Sequence, residues 1–80
     1  MRLPRDLTGA ALIKRLALLG YIQTRQAGSH VRLTTTIPSG HHVAVPLHDP
    51  LRVGTLAAII ATVVAHHNLS REQLITRLYE

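Results

Sequence analysis

The sequence predicts an α+β domain, with elements in the order α-β-β-β-α-α and a three-stranded antiparallel sheet covered by helices on one face. Two changes of hydrophobic period carry this prediction. Apolar residues recur every three to four positions up to Leu19, every second position from Tyr21 to Leu47, and every three to four again from Leu56. So short a chain buries only about 60% of its unfolded surface and supports one core. We therefore expect a single domain over residues 1–80.

The first helix is predicted over residues 9–19. Thr8 is a favourable N-cap residue, and Leu7 and Leu12 stand at the two positions of a hydrophobic staple around it. Gly20 suits the end of the helix because glycine adopts the left-handed backbone conformation that closes many helices.

Three strands are predicted next. We expect them at residues 21–26, 30–36 and 42–47. The first two form a hairpin around Gly28-Ser29, and a second turn at Pro38-Ser39-Gly40 leads to the third strand. Alternation in the third strand puts Val43, Val45 and Leu47 on one face. Pro46 lacks a backbone N–H, so it indicates an edge or the end of a strand.

Two helices are predicted to follow the sheet. Thr55 can cap a helix that extends to His67, which has the most regular apolar spacing in the chain. Ser70 and Gln73 are spaced as a capping box, which predicts a short last helix with Leu74 and Leu78 one turn apart.

The composition narrows the class of protein. The chain has no cysteine, which removes disulfides and thiolate metal sites. Pro4 and Asp6 interrupt the start where a signal peptide needs an apolar run, so we expect a cytoplasmic protein. The longest apolar segment, residues 56–65, is shorter than the roughly 18 residues of a membrane span. No membrane role is predicted.

The charge balance favours an anionic partner. Nine Lys+Arg against four Asp+Glu give a formal charge of +5, and all the basic residues except Lys14 are arginine. Guanidinium groups bind phosphate or carboxylate through two parallel hydrogen bonds. A basic surface that only keeps the protein soluble explains the charge equally well.

The open face of the sheet can be read from strand alternation. Because Val31 and Leu33 must point to the core, His30 and Arg32 point outward together. Imidazole exchanges protons near neutral pH, which attack of a ribose 2′-hydroxyl on the adjacent phosphate requires. Arg32 or Arg25 could hold that phosphate. An exposed histidine at a hairpin end is more often an ordinary surface residue, and the residues alone leave that alternative open.

Other chemistries fit the sequence poorly. In His41-His42 and His66-His67 the neighbouring side chains diverge and no carboxylate stands at ligand spacing, so no metal site is predicted. Ser29 beside His30 has no third group to orient the histidine, which disfavours a serine hydrolase. With two tyrosines and no other aromatic residue, RNA would be bound through its backbone, 2′-hydroxyls and shape. His48 has three possible roles: a polar loop residue, a second group of the site, or a contact for a partner. The sequence favours the loop residue.

Five segments together resemble a known family. They are GAALIKRLALLGY, RQAGSH, HHVAVPLH, GTLAAII and LSREQL, in that order. Their order and spacing are similar to the HicA, or YcfA-like, toxins over about residues 7–78. The most specific piece is Gly28-Ser29-His30 between two short strands, and Pro46-x-His48 and Gly54-Thr55-Leu56 support it.

The resemblance implies a fold similar to the double-stranded-RNA-binding domain and the activity of an mRNA interferase, which cleaves RNA without the ribosome. It also implies a HicB antitoxin that covers the catalytic histidine. By position that histidine is His30, with Gly28 and Ser29 forming its turn. We assign Arg25, Arg32 and Lys14 to RNA or phosphate binding, keep His48 as a possible second site group, and expect no cofactor and no metal.

The sequence also leaves open the position of the last helix and two other classes of protein. The helix ending at His67 is longer than in short family members by about one turn, roughly 5.4 Å, which would displace the last helix and its contacts. A non-catalytic module that binds RNA or protein would have the same fold. A DNA-binding helix-turn-helix regulator is disfavoured because the helix over residues 56–67 has no arginine to contact base edges.

Overall fold

The computed structural model describes residues 7–37 and 39–78. The elements are α1 Gly9–Ala17, β1 Ile22–Ala27, β2 His30–Thr35, β3 His41–Pro46, α2 Val53–His67 and α3 Arg71–Leu78. The strands form one antiparallel sheet in the order β1-β2-β3. This confirms the predicted α+β class and element order, in an arrangement like that of the double-stranded-RNA-binding domain. Pro4, Asp6, Pro38 and the side chain of Leu78, which entered the predictions, lie outside the described part.

The first helix begins where the sequence predicts. The Thr8 hydroxyl accepts a 3.0 Å hydrogen bond from the backbone N–H of Ala11, which confirms Thr8 as the N-cap. Leu12 and Leu16 are fully buried. α1 ends at Ala17, two residues before the predicted end, because the next residues tighten into a turn that Gly20 closes at a φ of 98°.

The three strands differ in burial. In β2 the side chains alternate, with Val31, Leu33 and Thr35 buried. α1 and α2 pack against β3, so every residue of β1 is exposed. Pro46 is the last residue of β3, an edge strand, as predicted.

Leu47 corrects one prediction. Alternation put it on the covered face with Val43 and Val45, but it is 41% exposed. The chain leaves the sheet after Pro46, and the Leu47 N–H donates instead to the carbonyl oxygen of Ser29 at 2.7 Å. The period of two therefore ends one residue before the sequence suggests.

α2 also begins earlier than predicted. Arg52 is its N-cap and makes no side-chain capping bond, so the assignment of Thr55 as the cap is wrong. The helix already includes Val53, because the Leu56 N–H bonds the carbonyl oxygen of Arg52 at 2.9 Å. It ends at His67, followed by Asn68 in the left-handed conformation at a φ of 53°.

The predicted capping box of α3 is confirmed. The Ser70 hydroxyl accepts from the Gln73 N–H at 3.1 Å, and the Gln73 side-chain oxygen accepts from the Ser70 N–H at 2.8 Å. Within the described ranges no single helix has the length and apolarity to cross a bilayer; only α2 and α3 taken together, bent by 101°, meet those criteria.

The N-terminus of α1 lies directly on the end of β3. The Gly9 N–H donates to the carbonyl oxygen of His48 at 2.9 Å. A Cβ atom on Gly9 would collide with the carbonyl oxygen of Pro46 and would lie 3.0 Å from the Cα of Leu47. The absence of a side chain at Gly9 therefore sets how closely the helix approaches the sheet.

Candidate functional site

The open face of the sheet carries a shallow groove of about 390 Å³. Its lining residues are Arg25, Ala27, His30, Val31, Arg32, His42, Val43 and Ala44. In β2, His30 and Arg32 are exposed while Val31 and Leu33 are buried, as strand alternation predicted. The site is therefore a surface of the sheet rather than an enclosed cavity.

A β-bulge brings Arg25 onto this face. Gln23 lies opposite Leu33, whereas Arg25 lies opposite Arg32, so Thr24 is an extra residue in β1. With a regular register Arg25 would lie opposite Val31 and share the covered face. The bulge places the two arginines side by side, next to the cross-strand pair of Ala27 and His30.

A two-residue turn presents His30 at the end of the groove. Gly28 has a φ of 59°, which favours glycine, and the space around it is open. The side-chain amide of Gln26 donates to the Gly28 carbonyl oxygen at 3.1 Å. The bond from Leu47 N–H to the Ser29 carbonyl oxygen fastens the turn to the end of β3. Both ends of the turn are thus held, while the His30 side chain stays exposed.

His42 is a site residue that the sequence reasoning missed. It is exposed in β3, lies opposite Thr34 and lines the same groove as His30. Its Nδ1 lies 2.9 Å from the Thr34 hydroxyl oxygen. A signal was available, because burial of Val43 and Val45 requires His42 to point outward.

Lys14 and His48 do not line the groove. Lys14 is on α1, where it borders a separate hollow of about 220 Å³ with Ala11, Arg15 and Leu18. His48 follows β3 with an exposed side chain, and its carbonyl oxygen accepts from Gly9. Of the predicted site residues, the structure brings together Arg25, His30 and Arg32, with Gly28 and Ser29 forming the turn beside them.

The charges of the groove all have one sign. Its described lining contains two guanidinium groups and two imidazoles and no Asp or Glu. Such a surface attracts phosphodiesters, and guanidinium groups bind them bidentately. An exposed imidazole beside a bound phosphate can transfer protons to and from its oxygen substituents.

The remaining histidines form a structural cluster with Tyr21, at the end of the sheet away from His30. The buried Tyr21 hydroxyl lies 2.8 Å from Nδ1 of His41 and 3.1 Å from Nε2 of His67. The other ring nitrogen of His41 lies 3.2 Å from the Thr62 hydroxyl, and the rings of His41 and His66 stack at 4.2 Å. We call Tyr21, His41, His66 and His67 the histidine cluster. It ties the last turn of α2 to the sheet.

The cluster does not present a metal site. Both ring nitrogens of His41 already have hydrogen-bond partners within the protein. Across residues 7–37 and 39–78, no group of three His, Cys, Asp or Glu side chains is arranged to hold a metal ion.

Burial and mutual repulsion shift the pKa values in the histidine cluster. Burial raises the pKa of Tyr21 to about 12. Burial lowers the pKa of His41, and the nearby His66, His67 and His42 lower it further. The pKa of His67 is lowered by burial, then by His66 and Arg77. The cluster therefore favours the neutral forms of His41 and His67.

The fold is expected to lose stability in mild acid. When a folded-state histidine pKa lies below the ordinary value of about 6.5, the unfolded chain binds more protons below that pH. The stability that His41 and His67 contribute is thus present above about pH 6.5 and is lost as the pH falls through their lower folded pKa values. Thermal unfolding should show a lower Tm at pH 5 than at pH 8.

Two variants test the origin of this effect. His66→Gln removes a neighbour that lowers the pKa of both His41 and His67, so its loss of Tm between pH 8 and pH 5 should be smaller than in the wild type. His48→Gln alters an exposed side chain outside the cluster and should lose as much Tm as the wild type. An equal Tm at both pH values in the wild type would contradict the expectation.

Comparison with known proteins identifies the family. The model of a family described as the HicA toxin of bacterial toxin-antitoxin systems matches residues 9–65, more than half of the chain. No curated protein and no solved structure gave a match. The matched region contains α1, the whole sheet and α2 up to Ala65, and it includes every residue of the groove. The chain belongs to the HicA family of toxins of bacterial toxin-antitoxin systems.

Proposed function

We propose that this toxin is an endoribonuclease that cleaves mRNA without the ribosome, with His30 as its catalytic histidine. The observation that carries the proposal is the groove, where the exposed imidazole of His30 shares an open sheet face with two arginines and a second imidazole, and whose described lining has no acidic side chain. A phosphodiester is the ligand whose charge and geometry this set matches.

The proposed reaction is an internal transfer on the RNA. His30 takes the proton of a ribose 2′-hydroxyl, and the 2′-oxygen attacks the adjacent phosphorus. The bond from phosphorus to the 5′-oxygen of the next nucleotide breaks, and that oxygen takes up a proton from the His30 imidazolium, from His48 or from water. The products are a 2′,3′-cyclic phosphate and a 5′-hydroxyl end. In this scheme the charge that builds up on the phosphate oxygens is offset by Arg25 and Arg32.

Family membership implies an antitoxin as the protein partner. We propose that this partner is HicB-like and inhibits by covering the open face, because binding there would exclude RNA from His30. Such a partner would also cover the exposed β1, and anything that binds only the folded toxin stabilises it.

The test is cleavage of a defined single-stranded RNA by purified protein in EDTA, followed by analysis of the product ends. We expect fragments with cyclic phosphate and 5′-hydroxyl ends, and no cleavage of an all-2′-deoxy copy. Ends with a 3′-hydroxyl and a 5′-phosphate would contradict attack by the 2′-oxygen. Binding of RNA without any cleavage would favour the alternative, a non-catalytic binding module of the same fold.

A further inference from the structure

We infer that His42 accepts a hydrogen bond from the 2′-hydroxyl of a nucleotide that flanks the cleaved one, so that the groove selects RNA at a second position. The inference rests on the proposed function and adds a residue that determines substrate specificity. It starts from the shared groove, in which His30 and His42 lie at opposite ends of a surface that carries Arg25 and Arg32 between them.

A chain of hydrogen bonds orients the His42 ring. The Thr24 hydroxyl donates to the carbonyl oxygen of Arg32 at 3.4 Å. The hydroxyl oxygens of Thr24 and Thr34 are 2.9 Å apart, and the Thr34 oxygen lies 2.9 Å from Nδ1 of His42. The chain begins at the extra residue of the β1 bulge and ends at the groove.

Counting protons gives this chain a direction. Each hydroxyl has one proton to donate. We assign the single Thr24 proton to the Arg32 carbonyl, so that Thr34 donates to Thr24 and a neutral His42 donates its Nδ1–H to Thr34. Nε2 then carries a lone pair and no proton, so His42 presents an acceptor to the groove.

The two histidines stand far enough apart along the sheet to face different nucleotides. His30 and Thr34, the partner of His42, are four residues apart in β2, about 13 Å at roughly 3.3 Å per residue. The Thr34 bond keeps the His42 ring above its own cross-strand pair. A proton-transfer group must approach the reacting oxygen to about 3 Å. If His30 serves the scissile phosphate, His42 meets a flanking nucleotide.

The acceptor character of Nε2 selects its ligand. Phosphodiester oxygens only accept hydrogen bonds, so neutral His42 does not bind them. The ribose 2′-hydroxyl can donate, and it distinguishes RNA from DNA. A base amino group is the other donor along a strand. We favour the 2′-hydroxyl because every RNA nucleotide carries one, whereas only some bases carry an amino group.

The experiment uses an oligoribonucleotide that the wild type cleaves at one position and copies with a single 2′-deoxy nucleotide at each position in turn. Rates are measured at about pH 8, where free imidazole is neutral. The wild type should lose about five- to tenfold at one flanking position, the effect of one hydrogen bond. His42→Ala should cleave the RNA and that copy at equal rates.

Two further variants complete the test. Thr34→Val removes the hydroxyl that orients His42 and should reduce the discrimination. The matched Thr36→Val alters an exposed threonine outside the groove and should keep all of it. Circular dichroism checks that each variant is folded.

The outcomes separate this inference from the proposed function. If the wild type cleaves the RNA but His42→Ala keeps the same discrimination at every position, the inference fails and the nuclease stands. The same holds if the effect of His42→Ala follows base identity instead of the 2′-deoxy position. If the wild type cleaves no RNA, both are overturned.

Discussion

Replacing His30 by alanine is expected to lower the rate of RNA cleavage by about 10²- to 10⁴-fold, the usual contribution of a positioned general base. The fold should be unaffected because the side chain is exposed and the turn that presents it is held by backbone bonds. RNA binding should change little, because the arginines of the groove remain. Cleavage is measured by gel assay in EDTA, and binding by fluorescence anisotropy.

Other variants define the limits of this prediction. Arg32→Ala should weaken both binding and cleavage, since it removes the proposed contact to the phosphate. His48→Ala tests the second site group suggested by the sequence: a loss as large as that of His30→Ala would assign the second proton transfer to His48, although it lies outside the groove. Full cleavage by His30→Ala, or its loss together with all RNA binding, would contradict the role of His30 as a base.

Gly9→Ala is expected to lower the free energy of unfolding by about 3 kcal/mol, the upper range for overpacking a close contact. The added Cβ would meet backbone atoms of Pro46 and Leu47, which cannot rotate away as a side chain can. For a domain of this size that change lowers Tm by more than about 10 °C. Thermal unfolding followed by circular dichroism measures it.

Gly54→Ala is the matched control. Gly54 lies in the first turn of α2, and a Cβ there would meet no atom within 4 Å. Alanine at this position should raise stability by up to about 1 kcal/mol, because it restricts the unfolded chain. If Gly9→Ala melted at the temperature of Gly54→Ala, the close approach of α1 to β3 would be wrong.

Much of the fold follows from local signals in the sequence. The side-chain oxygens of Thr8 and Ser70 identify two helix starts because each has a backbone N–H within reach. Alternation in β2 identifies the open face because Val31 and Leu33 must be buried. These predictions succeeded since each depends on residues only a few positions apart.

The features that the sequence predicted wrongly or left open have a different origin. Leu47 belongs to the strand by period, but the chain leaves the sheet where a tertiary bond to Ser29 takes its N–H. The bulge at Thr24 changes the partner of Arg25 without any change in composition or period, so the sequence could not show which face Arg25 takes. Strand alternation predicts that His42 points outward, but the adjacent His41 made it look like only one half of a metal-binding pair.

The residues beyond the family match also make tertiary contacts that the sequence does not predict. Residues 66–78 continue past the matched segment and include the end of α2 and the whole of α3. The sequence presents His66 and His67 as an isolated polar pair. The structure uses them to reach Tyr21 and the carbonyl oxygen of Ser39, both far away in sequence. Such contacts depend on tertiary packing, which cannot be predicted from the spacing of apolar residues along the sequence.

The bulge in β1 also affects self-association of the toxin through the edge of its sheet. The outer edge of β1 is the free edge of an entirely exposed strand, the kind of surface on which a second sheet can continue by backbone hydrogen bonding. The extra residue interrupts the regular spacing of N–H and C=O groups along that edge, and Arg25 adds positive charge beside the interruption. One inserted residue thus both assembles the arginine pair and works against aggregation of the free protein.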